Sequence, residues 1–229
     1  ECTDFPCSHE EALRSLELSL DWGQRSLDAF GERERQTLFG IIQGSNFEDL
    51  RERSAKGVVS QGFGGIALGG LAVGEGHDQM CRTIDMTMPH LPDHLPRYVM
   101  GVGKPIDLVE SVARGIDMFD CVHPTRCARH GQAFTPDGPI HIKNKEFEFD
   151  ISPLSEDAHP HVARFSKAFL RHSFRAGEII AQRVLSFHNL HFYLKLMENT
   201  RSAIEEGCFR EFQSDFVSRY TAKKSKPNP

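Results

Sequence analysis

The 229-residue sequence predicts an α/β fold built on a parallel sheet, and three observations carry that expectation. Over the first 122 residues, strand-like apolar runs alternate with helix-like stretches four times. The runs are apolar on both faces, as strands are when helices cover both sides of a sheet. The composition, 39% hydrophobic and 26% charged, is that of a globular domain and excludes collagen-like, disordered and coiled-coil classes. No apolar run approaches the ~18 residues of a membrane span, so no membrane partner is expected. Closed barrel and open doubly wound sheet both remain open. Four units are too few for an eight-stranded barrel, so a barrel requires further units before Glu1. The start at Glu1, with neither Met nor a leader, reads as a cut or an incomplete record.

Ser8 followed by Glu11 is a capping-box pattern, and it opens a helix with Leu13, Leu16, Leu20 and Leu27 on one face. Residues 37–44 then form an apolar run ending in Gln43-Gly44, read as a buried strand. Ser45 with Glu48 repeats the capping pattern and starts a second helix that stops before Gly62. Residues 62–70 are the second strand, 78–88 a helix broken by Pro89 and Pro92, and 97–103 the third strand. Pro105 suits the first position of a helix reaching Gly115, and residues 116–122 form the fourth strand. After residue 130 the rhythm changes. Residues 131–150 read as a hairpin turning at Pro136-Asp-Gly, 166–220 as mostly helical, and 221–229 as a flexible tail. The expected domains are therefore 1–130, 131–220 and the tail.

Charge is uneven. Residues 1–120 carry 11 Lys and Arg against 20 Asp and Glu, a net −9; residues 121–229 carry 16 against 12, a net +4, and the two make the −5 of the chain. That excludes a surface basic throughout, while leaving room for a local anion site in the second half, or for ordinary surface charge. The six cysteines, Cys2, Cys7, Cys81, Cys121, Cys127 and Cys208, form no C-x-x-C pair and read as reduced thiols of a cytoplasmic protein.

In a parallel barrel the chemistry sits at the C-terminal ends of the strands. Those ends are Gln43-Gly44, Gly69-Gly70-Leu71, Met100-Gly101 and Asp120-Cys121. Gln43 offers a donor and an acceptor to a purine or pteridine edge, the glycines let a flat ligand approach the backbone, and Met100 offers a polarizable face. Asp120 is the only acid among them, hence the candidate nucleophile or base, unless it merely caps the following turn. Arg126 and Arg129, with His123 and His130, could position phosphates or form a solvated basic loop. Gly101-Val-Gly-Lys104 fails as a Walker loop, because Tyr98 stands where the first glycine belongs and Pro105 follows the lysine.

Four motifs resemble those of tRNA-guanine transglycosylases, in order and with that family's spacing: Phe39-Gly-Ile-Ile-Gln-Gly44; Ile66-Ala-Leu-Gly-Gly-Leu-Ala-Val-Gly-Glu75; Tyr98-Val-Met-Gly-Val-Gly-Lys-Pro105; and Gly115-Ile-Asp-Met-Phe-Asp-Cys-Val-His-Pro-Thr-Arg-Cys-Ala-Arg-His-Gly131. The resemblance implies a TIM barrel, of which 1–130 would be the last four units. It implies exchange of guanine at the wobble position of tRNAs with a G-U-N-type anticodon for a 7-deazaguanine. Asp120 would be the nucleophile. Gln43, Gly69, Gly70, Leu71, Met100 and Cys2 would bind the base. Gly101, Val102, Gly103, Lys104, Pro105, Ile106 and Asp107, with Thr125, Arg126, Cys127, Ala128 and Arg129, would contact tRNA. Leu71-Ala-Val73 resembles bacterial members and implies 7-aminomethyl-7-deazaguanine as substrate. A homodimer is implied as well.

Two departures from the family pattern stand out. The family barrel begins upstream of Glu1, and that part would hold the general acid/base and a base-binding Asp, so the isolated chain is expected neither to close a barrel nor to turn over. The family's structural zinc is held by three cysteines and a histidine, and here Ala158, Pro160 and Ala163 stand at the cysteine positions, leaving His188. No metal and no other cofactor is therefore expected; a His159, His161 and His188 site is the lesser option. Packing by Phe165, Phe169, Ile179, Ile180, Val184 and Phe187 would replace the metal. A non-catalytic tRNA-binding or partner-subunit relative is the alternative to an enzyme.

Overall fold

The computed structural model describes residues 1–222, in two compact units: Glu1–Cys121 and a second beginning at Val122. The second unit thus starts earlier than the boundary expected at 130, because the short helix after Val122 packs along the longest helix of the second unit. All but the first two residues of the tail expected at 221–229 lie outside the described residues.

The first unit opens with α1 (His9–Phe30). Its capping box is formed: Ser8 Oγ accepts from the Glu11 amide, and Glu11 Oε2 accepts from the Ser8 amide at 2.9 Å. Ala12 and Leu16 of α1 pack with Leu50 of α2 (Glu48–Gln61). Four short strands, β1 (Phe39–Ile42), β2 (Gly65–Leu68), β3 (Arg97–Met100) and β4 (Met118–Asp120), form one sheet in the order β1-β2-β3-β4, every pair parallel. Helices α2, α3 (His77–Thr87) and α4 (Pro105–Ala113) make the crossovers. Ile42, Ile66, Leu68, Ile84, Val99 and Val109 are fully buried in the core between sheet and helices.

Two sequence expectations are corrected here. Ser45 does not cap α2. The chain turns at Gly44–Phe47, where the Phe47 amide donates to the Gly44 carbonyl, Ser45 takes φ +50°, and Phe47 precedes the helix without a side-chain cap. The fourth strand, moreover, has a wet face. Met118, on the same face as Asp120, is 46% exposed, because nothing among the described residues covers that face of β4.

The second unit holds α5 (His123–Arg129), the antiparallel hairpin β5 (Gln132–Thr135) and β6 (Gly138–His141), then α6 (Pro160–Ala163), α7 (Lys167–Arg175), α8 (Ile179–Glu205) and α9 (Phe209–Thr221). Its core gathers Ala128, Ala133, Ile140, Ile142, Leu170, Val184 and Leu185, with Phe165 packed against it. The apolar face expected on this segment is only partly buried. Phe169, Ile179, Ile180 and Phe187 are exposed, since residues on α8 are buried by the hairpin and α5 rather than along the whole expected stripe. None of the six cysteines is in a disulfide.

Candidate active site

The parallel register brings the C-terminal ends of the first unit's strands level: Ile42 pairs with Leu68, Leu68 with Val99, and Met100 with Asp120. Gln43, Gly69-Gly70 and the Met100 and Asp120 side chains therefore share one edge of one sheet. Gln43 is buried, and its amide donates to Ser54 Oγ of α2 at 2.9 Å. Its side-chain amide lies flat against the next strand end. A Cβ on Gly69 would stand 2.6 Å from Gln43 Nε2, and Gly70 takes φ +68°, so only glycines let the chain pass this close. Leu71 is buried beside them. The turn beyond is fastened by Glu75, whose two carboxylate oxygens accept from the amides of Ala72 (2.6 Å) and Val73 (2.8 Å).

Asp120, at the other end of the edge, is exposed and oriented. Tyr98 Oη donates to Asp120 Oδ1 at 2.6 Å, and the Gly101 amide donates to the same oxygen at 3.3 Å. Oδ2 takes no hydrogen bond among the described residues, which leaves one oxygen fixed and one available for reaction. The hydrogen bond to Asp120, aided by partial burial, pushes the Tyr98 phenol up to about 12. In Asp120→Ala, the Tyr98 phenol should titrate nearer the usual value of ~10, read as tyrosinate absorbance against a Tyr98→Phe reference. An unmoved titration would mean that Tyr98 and Asp120 do not pair in solution.

The profile of the family described as queuine tRNA-ribosyltransferase matches residues 1–222. The chain belongs to that family. Among curated relatives, the queuine tRNA-ribosyltransferase of Caulobacter vibrioides is 53% identical over 221 residues, covering 96% of this chain and 60% of that protein. That of Zymomonas mobilis is 50% identical, covering 98% and 60%, and that of Vibrio atlanticus 49% identical, covering 96% and 58%. The chain thus spans about 60% of the length of these relatives.

Within this chain, the loop after β3 divides into surface and support. Gly101 and Lys104 are exposed and Ile106 is half-buried. Val102, Gly103 and Pro105 are buried, so they shape the loop from within. Asp107 pairs with His77 Nδ1 at 2.7 Å, which ties this loop to the start of α3. In the second unit, Arg126 and Arg129 are exposed on α5 and Thr125 and Cys127 half-buried. Ala128 is fully buried, its methyl group packed in the core of the second unit. Cys2 is exposed, and its thiol hydrogen-bonds the Thr3 carbonyl at 3.5 Å and, among the described residues, makes no hydrogen bond to Gln43, Gly69 or Gly70.

The zinc of the family resemblance does not fit the residues present. Ala158, Pro160 and Ala163 carry no donor atom. His188 is buried, and its Nε2 donates to the Phe134 carbonyl at 2.7 Å, so that nitrogen holds β5. Burial also holds the imidazole below the usual histidine range. His159 stacks on His161 and packs edge-on against His191, not against His188. Among the described residues, no three His, Cys, Asp or Glu side chains converge as metal ligands.

Two residues around the strand-end site, and one in the second unit, had no assigned role in the sequence. Tyr98 lay inside a quoted motif, but only the β3–β4 register shows that it reaches Asp120. Arg51 carried a readable signal, a charge on the face of α2 otherwise made of Leu50, Ser54, Ala55 and Val58. Asn189, next to His188, is buried and makes three hydrogen bonds to the hairpin and α5.

Proposed function

We propose that this chain is the nucleophile-bearing part of an enzyme that exchanges guanine at the wobble position of tRNAs with a G-U-N-type anticodon for 7-aminomethyl-7-deazaguanine. The observation that carries the reading is the sheet edge with Asp120 oriented at one end and Gln43 against Gly69-Gly70 at the other. Three inter-strand spacings separate the first strand end from the fourth, about 14 Å at ~4.8 Å each, enough for a nucleoside lying along the edge. The base rests on the glycine platform, with its edge read by Gln43 and its face against Met100. Asp120 Oδ2 then attacks C1′ of the ribose as the C1′–N9 bond breaks. The guanine leaves with the bonding pair and takes a proton from an acid that the resemblance assigns to residues before Glu1. The incoming base gives a proton back to that same group and attacks C1′, and the bond from C1′ to Asp120 breaks to release the carboxylate. The target nucleotide must leave its stack first, at least cost in a single-stranded loop.

An arc of a TIM barrel suits the sheet better than a doubly wound one, since the order β1-β2-β3-β4 contains no reversal. A homodimer and a cytoplasmic location belong to the same reading; among the described residues no helix is long and apolar enough to cross a membrane. The decisive assay incubates the complete enzyme with unmodified tRNA and labelled guanine. Label should enter the tRNA, and a tRNA–protein adduct should survive denaturation. Binding of tRNA without exchange would favour the non-catalytic relative.

Arg126 and Arg129 serve in this reading as phosphate contacts. Each change to Ala should weaken tRNA binding and lower the slope of log affinity against log salt by about 1. An unchanged slope in both variants would make α5 ordinary solvated surface.

The protein is expected to carry no stoichiometric zinc, its second unit being held by the apolar cluster around Ile142, Leu170 and Leu185. Its melting temperature should be the same with and without a strong chelator, and metal analysis should find well under one zinc per chain. One equivalent of zinc, lost with chelation together with stability, would assign ligands to the histidines at 159, 161, 188 or 191.

A further inference from the structure

We propose that Arg51 is a positioning residue for the base site, holding Gln43 in place by gripping the backbone on either side of it; this rests on the reading of Gln43 as the base-recognition residue. Arg51 is fully buried on the sheet-facing side of α2. Its Nε donates to the Ser45 carbonyl at 2.6 Å and its Nη1 to the Ile42 carbonyl at 3.4 Å, one on each side of Gln43-Gly44. One turn further along α2, Ser54 Oγ accepts from the Gln43 amide itself. Two side chains of one helix therefore fix the backbone from which the Gln43 side chain projects.

The third nitrogen, Nη2, has no partner among the described residues, and a Cβ on Gly70 would stand 3.1 Å from it. The guanidinium edge thus lies under the glycine platform that Gln43 also touches. Burial lowers the Arg51 pKa to about 10, so it remains a cation at neutral pH. A buried cation that no carboxylate hydrogen-bonds is expensive to desolvate. Bracing α2 alone would not require one, whereas a planar fork reaching two carbonyls at once does what lysine cannot.

The test uses Arg51→Met and Arg51→Lys, the second retaining charge and length if the first folds poorly. In the 229-residue chain, the Gln43 amide should lose about tenfold or more of its hydrogen-exchange protection in both variants, while the Ile66 and Asp117 amides, also hydrogen-bonded within the sheet, keep theirs. In the complete enzyme, the KM for guanine should rise about tenfold with kcat changed by less than about threefold. Arg51→Met combined with Gln43→Ala should then be no worse in KM than Gln43→Ala alone, as expected for two residues acting as a unit. Additive losses, or an unchanged KM with a lowered melting temperature, would confine Arg51 to packing and overturn the proposal. So would full protection and full KM in Arg51→Lys. Failure of the wild type to exchange guanine would instead overturn the functional reading, while the Gln43 protection still decides the clamp.

Discussion

Asp120→Asn is expected to lower guanine exchange by at least roughly a thousandfold, the scale seen when a covalent nucleophile is removed. The substitution is a clean one for this geometry. Both hydrogen bonds to the side chain, from Tyr98 and from the Gly101 amide, fall on Oδ1, and an asparagine oxygen accepts both. Asp120 is exposed, so no buried charge is lost, and stability should stay within about 0.5 kcal/mol of wild type. What disappears is the second carboxylate oxygen: an amide nitrogen at that place has no lone pair free to attack C1′. The variant should therefore bind tRNA normally and form no adduct that survives denaturation. Exchange at wild-type rates would remove Asp120 from the mechanism. Tyr98→Phe is the informative companion, since it keeps the nucleophile and removes one of the two groups that aim it.

The strand ends were legible because parallel α/β sheets put their chemistry at one edge, and because that edge is written in short runs such as Gln43-Gly44 and Gly69-Gly70. What the sequence could not supply was the third dimension of the same edge. Arg51 and Ser54 act on Gln43 across the crossover from β1 to α2, and Tyr98 acts on Asp120 across a strand pair. Each link depends on register and helix rotation, which hydrophobic periodicity fixes only to within a residue or two. Ser45 shows the converse failure. Its spacing to Glu48 fits a capping box as well as Ser8 to Glu11 does, yet only Ser8 has the extended backbone of a cap, with φ −75° and ψ 156°. Ser45 is committed to a left-handed turn whose carbonyl feeds Arg51. Burial in the loops was equally hidden. Val102, Pro105 and Ala128 sit in stretches that the family resemblance assigned to tRNA contact, and their burial shows only once helices α4 and α5 are packed.

In the second unit the sequence directed attention to His188 as a remnant of a metal site, while the residue beside it holds more of the structure. Asn189 is fully buried on α8. Its Oδ1 accepts from the Phe134 amide at 3.0 Å, and its Nδ2 donates to the carbonyls of Pro124 (2.9 Å) and Gln132 (3.0 Å). One side chain thereby joins α8 to both α5 and β5, and His188 adds a fourth bond through the Phe134 carbonyl. Asn189→Ala removes three hydrogen bonds and leaves one amide and two carbonyls in a place too tight for bulk water. Each unsatisfied buried group costs about 1–3 kcal/mol, so a loss of about 3–5 kcal/mol is expected, partly offset by relaxation. Asn189→Asp should be no better, because its second oxygen would face two carbonyls and repel both. Asn199→Ala, at an exposed position on the same helix, should change stability by less than about 0.5 kcal/mol. Urea unfolding of the three variants beside the wild type checks this. A loss below about 1 kcal/mol in Asn189→Ala would mean that the apolar cluster alone holds the hairpin to α8. The expected larger loss would make this polar tie, rather than a metal, the joint on which α5 and the hairpin are set.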